Sequence, residues 1–385
     1  MADIKDIKFH ISSSPHFTEG NSTQKIMAGV LIALLPEVIA GTVFFGPRAL
    51  AVVLLSVLGC VFFEALFQKI TGQKIVVKNL SAAVSGVMLA LVLPSTIPFW
   101  QVLLGDFVAM VIAKGLFGGI GSNVFNPALT GRAFLFISFP AAIGANWFDP
   151  DLVPRIFREL AAKGLSAEQI DAMSHATTWD GITSATILSQ IKNGSLEHFD
   201  FLQFFIGNRA GCIGETSILL ILISFLFLLV TKIIDWRAPL AMVGTFSVCL
   251  FFAGISGGVV SALSDVAIGL LTGGIIFGAT FMITDYATAP VTKLGRFVFG
   301  AGAGLITFLI RKFGGYPEGV MFSILIMNTL VPFLNNITER MYGYGKKGHR
   351  RAETKKINME FDLTSAEERK LVSENVVRPE GDKND

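Results

Sequence analysis

The sequence predicts an all-α polytopic membrane protein with about ten transmembrane helices in two inverted five-helix repeats. Three observations predict it. Of 385 residues, 52% are hydrophobic and only 16% charged, well below the roughly 25% charge of an ordinary soluble domain. The mean hydropathy is +0.62, and apolar runs of about 20 residues, the length that crosses a bilayer, recur along the chain. The two halves also share a loose pattern. Ser81 through Pro94 corresponds to Asp265 through Asp285, and Gly118-Gly119 and Gly314-Gly315 each precede a run ending in Phe139-Pro140 or Pro332-Phe333. An odd number of spans per copy inverts the second copy and places a central site at their interface.

In order, the runs cover 26–45, 49–68, 80–98, 100–119, 124–145, 212–233, 239–260, 265–284, 297–314 and 318–338. Pro94 and Pro98 shorten the third, Pro127 and Pro140 break the fifth, and Arg311 and Lys312 truncate the ninth. About 25 mostly polar residues precede the first run without a cleavable signal pattern, so that span is expected to persist in the mature chain. The glycine pairs Gly115/Gly119, Gly254/Gly258, Gly269/Gly273, Gly274/Gly278 and Gly300/Gly304 have the spacing that lets helices approach closely.

Lysine and arginine in short loops set the orientation. With the N-terminus inside, the inner loops hold Lys69, Lys74, Lys78, Lys114, Lys232, Arg237, Lys293 and Arg296, and the outer short loops hold only Arg48, Arg311 and Lys312. Both termini are expected on the cytoplasmic side. The chain then divides into a cytoplasmic segment 1–25, a first membrane repeat 26–146, an extracytoplasmic loop 147–211, a second repeat 212–338 and a charged cytoplasmic tail 339–385. Capping-box spacings at Ser166–Gln169 and Thr364–Glu367 predict a short helix in the loop and another in the tail.

The loop carries a hydroxyl-crowded stretch, Asp180-Gly181-Ile182-Thr183-Ser184-Ala185-Thr186-Ile187-Leu188. Thr186 falls near the start of an expected helix capped by Asp180 or Thr183, with Ile187, Leu188 and Ile191 as its apolar stripe. Unpaired N–H groups at such a terminus suit a phosphate. A threonine is equally at home there as a first-turn residue, and Thr177, Thr178 and Thr183 compete for any role given to Thr186.

The Thr183-Ser184-Ala185-Thr186 core resembles the flavinylation site of the D-type membrane protein of the Rnf-type ion-translocating ferredoxin:NAD oxidoreductase, and of the related B-type protein of the sodium-translocating NADH:quinone reductase. It departs at two of four positions from the Ser-Gly-Ala-Thr usual there. Further landmarks similar to the Rnf protein are Ser14-Pro15-His16, Gly118 through Leu129, Ser138-Phe139-Pro140, Ile213 through Ser217 and Met282-Ile283-Thr284-Asp285, in that order, to about residue 340. The short N-terminal segment favours the Rnf protein over its relative. The resemblance implies a one-electron relay in the bacterial cytoplasmic membrane. A flavin transferase moves FMN from FAD onto Thr186 on the outer face, and that flavin exchanges electrons with the flavin of a neighbouring subunit. It also implies room for a second, non-covalent riboflavin, and places Thr183, Ser184, Asn126, Glu215 and Asp285 near the cofactors.

Ionisable groups within or beside spans are costly in lipid and are functional candidates by default. Glu37, Glu64 and Asp106 are candidates for a sodium or proton path, whereas Glu215 and Asp285 sit near span ends. Each has an alternative as an inward ion pair or an interfacial residue. Asn123 and Asn126 are expected to satisfy the broken backbone of the fifth span. Cys60, Cys212 and Cys249 lie far apart, without paired spacing for zinc or an iron–sulfur cluster, and read as small buried packers. No Walker loop or dinucleotide glycine motif occurs, no nucleic-acid partner is indicated, and no catalytic or metal-ligating residue is assigned. The competing class is a stand-alone solute channel or transporter without a redox cofactor, which the same fold would support.

Overall fold

The computed structural model describes residues 22–144, 201–207, 211–215, 217–314 and 318–337, and all regular structure among them is helical. Thr183, Ser184 and Thr186, both capping-box helices, the charged tail and residues 1–21 lie outside the described residues.

α1 (Thr23–Phe45) begins where the Ser22 hydroxyl accepts from the Lys25 N–H, and carries Pro36 within it. A turn at Gly46, whose positive φ of 78° suits a residue without Cβ, leads to Pro47 and α2 (Pro47–Ile70). α1 and α2 are 23 and 24 residues long, or about 35 Å each, enough for a hydrocarbon core of about 30 Å. The third run is shortened, as its prolines predict. α3 (Ser81–Leu91) stops well short of position 98, because Pro94 has no N–H to continue the ladder and disfavours a helical residue before it. α4 (Phe99–Phe107) continues directly as a π-helical segment, Val108–Gly115, and a glycine turn with positive φ at Gly118, Gly119 and Gly121 ends it. α5 (Pro127–Ser138) breaks at Phe139 before α6 (Pro140–Gly144), as the two prolines predict.

α7 (Phe201–Ile206) and α8 (Ile218–Val230) open the second half. α9 (Arg237–Gly254) is prolonged by a 3-10 turn to Gly257. The eighth run, expected as one span, is two pieces: α10 (Val259–Leu271) and α11 (Ile275–Phe277) with its π continuation Gly278–Met282, meeting at 65°. Thr272-Gly273-Gly274 makes the bend, with Gly273 at φ 67°. α12 (Lys293–Phe313) ends where Arg311 and Lys312 predict, with both cations in its last turn, and starts four residues earlier than the expected 297. Cations there face the negative end of the helix dipole. α13 (Val320–Ile337) tolerates Pro332 in its interior.

Among the described residues four helices, α1, α2, α9 with its 3-10 extension and α12, are long and apolar enough to cross a membrane, and the bent α10–α11 pair makes five; α3, α8 and α13 are shorter apolar helices. α2 packs on α3 and α4, α1 on α3 and α8, α9 on α10 and α12, and α5 of the first half touches α13 of the second. Ile32, Val43, Leu58, Val230 and Phe252 are more than half exposed, the outward apolar surface that a lipid solvent matches.

Of the five glycine pairs only Gly300/Gly304 lies on one continuous helix. The other four each place a member at a turn, bend or cap, where Gly119, Gly258 and Gly273 take positive φ and Gly274 begins α11. On α12, a Cβ at Gly300 would strike the Ala238 carbonyl and one at Gly304 the Met242 carbonyl, so α9 and α12 meet nearly backbone to backbone. Gly300→Val or Gly304→Val is expected to lower the thermal unfolding midpoint in detergent, through overpacking of roughly 1–3 kcal/mol. Gly244→Ala on α9, where nothing lies within 4 Å of the added methyl, is expected to leave the midpoint unchanged or raised.

Candidate functional site

Two buried polar centres and one cavity lie where the helices break. The first centre joins the halves. Beyond Leu91 the freed carbonyls of α3 are met from the far side of the long loop: the Gly214 N–H donates to the Leu91 carbonyl (2.7 Å) and the Ile213 N–H to the Leu93 carbonyl (3.1 Å). The Cys212 thiol donates to the Val92 carbonyl at 3.1 Å. This pins Glu215 beside the other break, where its carboxylate packs so close to Gly274 that a side chain there would collide with it.

Arg132 of α5 completes the centre. Its guanidinium donates to Glu215 Oε1 at 3.3 Å, Glu318 Oε2 at 2.5 Å and Cys212 Sγ at 3.4 Å, and Arg132 and Glu215 are each about 95% buried. Cys212, Glu215 and Glu318 are close enough together to form a ligand set, but the cation in their midst is the arginine. One buried guanidinium paired with two carboxylates couples α5 to both the 211–215 segment and the approach to α13.

The second centre lies within the first half. Ser56, Cys60 and Glu64 recur every fourth residue on α2 and face the π-wound helix. Lys114 Nζ lies 2.6 Å from Glu64 Oε1 and donates to the Ser81 hydroxyl at 2.7 Å. Asp106 Oδ1 accepts from the Ser56 hydroxyl at 2.6 Å and from the Cys60 thiol at 3.3 Å. Glu37 stands apart on α1, fully buried, with neither carboxyl oxygen hydrogen-bonded among the described residues. The three path candidates are therefore all buried, but only Glu64 and Asp106 share a seam.

A cavity of about 160 Å³ opens at the end of that seam. Its polar wall is Ser81, Lys114, Asn123, Asn126, Asp285 and Tyr286; Met27, Val84, Met88 and Pro127 supply apolar surface. Asn126 fulfils the expected backbone role: Oδ1 accepts from the N–H groups of Ala128 and Leu129, capping α5, while Nδ2 donates to the Met282 carbonyl at 3.4 Å. It thereby ties the start of α5 to the end of the second π segment. Asn123 donates to the Phe125 carbonyl at 3.1 Å.

Asp285 accepts from the Thr288 hydroxyl at 2.9 Å. Burial pushes its carboxyl up, against the opposing pull of Thr288, the neighbouring backbone N–H groups and Lys114. The 284–292 turn that carries Asp285 is held by Arg296, which donates to the Pro290 carbonyl and to Asp235. Asp235 also accepts from the Arg237 backbone and side chain. Burial alone would raise the Asp235 carboxyl, but these donors outweigh it and hold it below its ordinary 3.8.

The structure thus brings Asn126 and Asp285 to one cavity, puts Glu64 at its edge through Lys114, and assigns Glu215 to a different centre. Sequence reasoning missed Arg132, Glu318 and Tyr286. An arginine five residues into a proline-started apolar run was the available signal for Arg132. Cys60 and Cys212 are buried as expected, whereas Cys249 is only partly so.

A family model described as the NQR2, RnfD, RnfE family matches residues 10–343. Among relatives, the D subunit of the proton-translocating ferredoxin:NAD(+) oxidoreductase complex of Clostridium ljungdahlii is 37% identical over 343 residues, covering 88% of this chain and 97% of the relative. The D subunit of the Na(+)-translocating ferredoxin:NAD(+) oxidoreductase complex of Acetobacterium woodii is 37% identical over 347 residues, covering 89% and 98%. The D subunit of the ion-translocating oxidoreductase complex of Escherichia fergusonii is 35% identical over 356 residues, covering 88% and 99%.

Arg132→Met removes the cation that donates to both Glu215 and Glu318 and is expected to cost about 3–5 kcal/mol, read as a fall in the unfolding midpoint. Glu215→Gln combined with Arg132→Met should recover part of that loss. For Asp235 the folded carboxyl titrates below the unfolded one, so its stabilisation is present above the ordinary aspartate range and lost as pH falls through the folded value. Acidification below about pH 4 should remove about 1 kcal/mol, allowing for partial exposure, and Asp235→Asn should flatten that part of the stability curve.

Proposed function

The chain belongs to the NQR2, RnfD, RnfE family, and we propose that it is the D-type membrane subunit of an ion-translocating ferredoxin:NAD oxidoreductase complex, relaying electrons through FMN held covalently at Thr186. The observation that carries this reading is the extent of the match. Relatives named as D subunits of ion-translocating oxidoreductase complexes, two of them ferredoxin:NAD(+) oxidoreductases, align over 97–99% of their own length, and the family match encloses the Thr186 segment.

In this reading the Thr186 hydroxyl oxygen takes the FMN phosphoryl group of FAD with the aid of a flavin transferase; the Thr186 O–H and the pyrophosphate P–O bonds break, the new P–O bond forms, and AMP leaves with the proton. The bound flavin supplies one-electron chemistry, and the scaffold holds it beside the flavin of a neighbouring subunit. Thr183 and Ser184 lie just before Thr186 in the sequence. The cavity at Asn126 and Asp285 has the mixture of amide, hydroxyl, carboxyl and apolar wall that a flat heteroaromatic ring requires, which supports a non-covalent riboflavin there. Asn126 would have one amide hydrogen to offer after its bond to Met282, and Asp285 an acceptor at the opposite wall.

Placement in the bacterial cytoplasmic membrane, with both termini inside and Thr186 outside, rests on the loop charges. Ten spans in two inverted halves are supported by a parallel between the two π segments, Val108–Gly115 and Gly278–Met282. Each leads through a turn to a proline and then a Gly-Arg pair, Gly131-Arg132 and Gly295-Arg296.

The test is the mass of the Thr186 peptide. Chain produced with a working flavin transferase should yield it heavier by FMN less water, with flavin fluorescence that stays on the denatured polypeptide. Thr186→Ala should abolish both signals and Thr183→Ala should keep them. Denatured wild-type chain free of flavin would discard the covalent relay and favour a transporter without a redox cofactor.

A further inference from the structure

The Ser56–Asp106 contact sits at the midpoint of α2 and has one hydrogen too few. The Ser56 oxygen lies 2.6 Å from Asp106 Oδ1 and 3.0 Å from the Gly86 carbonyl, yet a hydroxyl has a single hydrogen and both neighbours are acceptors. Asp106 Oδ2 is buried without a partner among the described residues. It is pressed against Gly59, where a Cβ would collide with it and would lie 3.1 Å from the Leu103 side chain. An ionised carboxylate would leave one oxygen charged against hydrocarbon, because Lys114, the cation on the same seam, is already engaged by Glu64 and Ser81. Such a group is among the costliest to bury.

One added proton removes the conflict. With hydrogen on Oδ1, Asp106 donates to the Ser56 oxygen, Ser56 donates to the Gly86 carbonyl, and the bare Oδ2 becomes a neutral carbonyl. A metal ion does not fit as well, since an oxygen-seeking cation gathers about six oxygen ligands. Here the described oxygens are Asp106, Ser56 and Gly86, and Leu103 and Gly59 close the remaining side.

We infer that Asp106 is a proton carrier at the centre of the membrane domain, holding its proton at Oδ1 against Ser56 and exchanging it with Glu64 and so with the Asn126–Asp285 cavity. The facing groups define the route. Cys60 touches Asp106 Oδ1, and Glu64 follows Cys60 one turn along α2, about 6 Å further. Glu64 Oε2 has no hydrogen-bond partner among the described residues, while Oε1 pairs with Lys114 on the cavity wall. In the transfer the O–H bond at Asp106 breaks and a new one forms at Glu64 Oε2. Asp106 gains the negative charge that Glu64 loses, and Lys114 remains an ammonium. This role rests on the chain's belonging to an ion-translocating complex, but its test does not depend on flavin at Thr186.

The experiment is infrared difference spectroscopy of the purified complex, wild type against Asp106→Asn, whose amide keeps the donor to Ser56. The expected result is loss in the variant of one protonated-carboxyl carbonyl band, a band that moves in D2O and in Ser56→Ala and does not respond to sodium. The same variant complex in liposomes should lose proton movement while retaining ferredoxin:NAD turnover. Overturning results are a wild-type spectrum in which the variant removes carboxylate bands, a carbonyl band displaced by sodium, or unchanged proton movement. An unflavinylated Thr186 peptide beside a normal Asp106 band would instead defeat the covalent relay alone.

Discussion

Hydrocarbon offers no water to a broken backbone, and this architecture depends on how its two interrupted helices meet that constraint. α3 ends at Leu91 and α10 at Leu271, both inside the packed domain. The Cys212–Glu215 segment serves both interruptions: its N–H groups take the carbonyls of Leu91 and Leu93, and its glutamate reaches Gly274. Arg132 then holds the glutamate, with Glu318 as its second partner. Remove the guanidinium and two carboxylates, two breaks and the contact between the halves lose their common anchor.

The polar groups elsewhere follow the same logic on a smaller scale. Lys114 and Glu64 bury charge as a pair and add Ser81 as a third member, so the cavity beside them has a charged edge without a net cost of isolated ions. Asp285 and Asn126 reach that cavity from opposite halves, and Asn126 stitches them through the Met282 carbonyl. A site made at such a junction is shaped by both halves and changes if either shifts.

Much of the fold is legible because hydropathy reports burial in lipid directly. Helix lies under every apolar run, and Pro94, Pro127 and Pro140 mark real interruptions. The eighth run hides its break because Thr272-Gly273-Gly274 is short and flanked on both sides by Leu, Ile and Phe, and glycine gives no sign of which φ it will take. Arg311 and Lys312 do mark the end of α12, but the sequence does not show that Arg311 turns back, donates to the Gly269 carbonyl and stacks over Phe246. Of the site residues, Asn126, Asp285, Glu64 and Asp106 can be picked out singly from their chemistry. Their grouping cannot, since Glu215 and Asp285 look alike in sequence and belong to centres assembled from different helices. The Thr186 segment is legible only through its likeness to the Rnf protein, and it falls outside the described residues.

The π winding of Val108–Gly115 has a geometric consequence for the seam. At about 100° per residue, eight residues of α-helix overshoot two full turns by about 80°, which would swing Lys114 well away from the direction of Asp106. Hydrogen bonds reaching one residue further widen the coil and take back part of that rotation, so both groups address the same stripe of α2. A one-residue deletion in this stretch would restore ordinary helical pitch. Made between Asp106 and Lys114, it would leave seven residues at about 100° each, roughly 20° short of two turns, so the π winding is what lets an eighth residue fit without turning the lysine off that stripe.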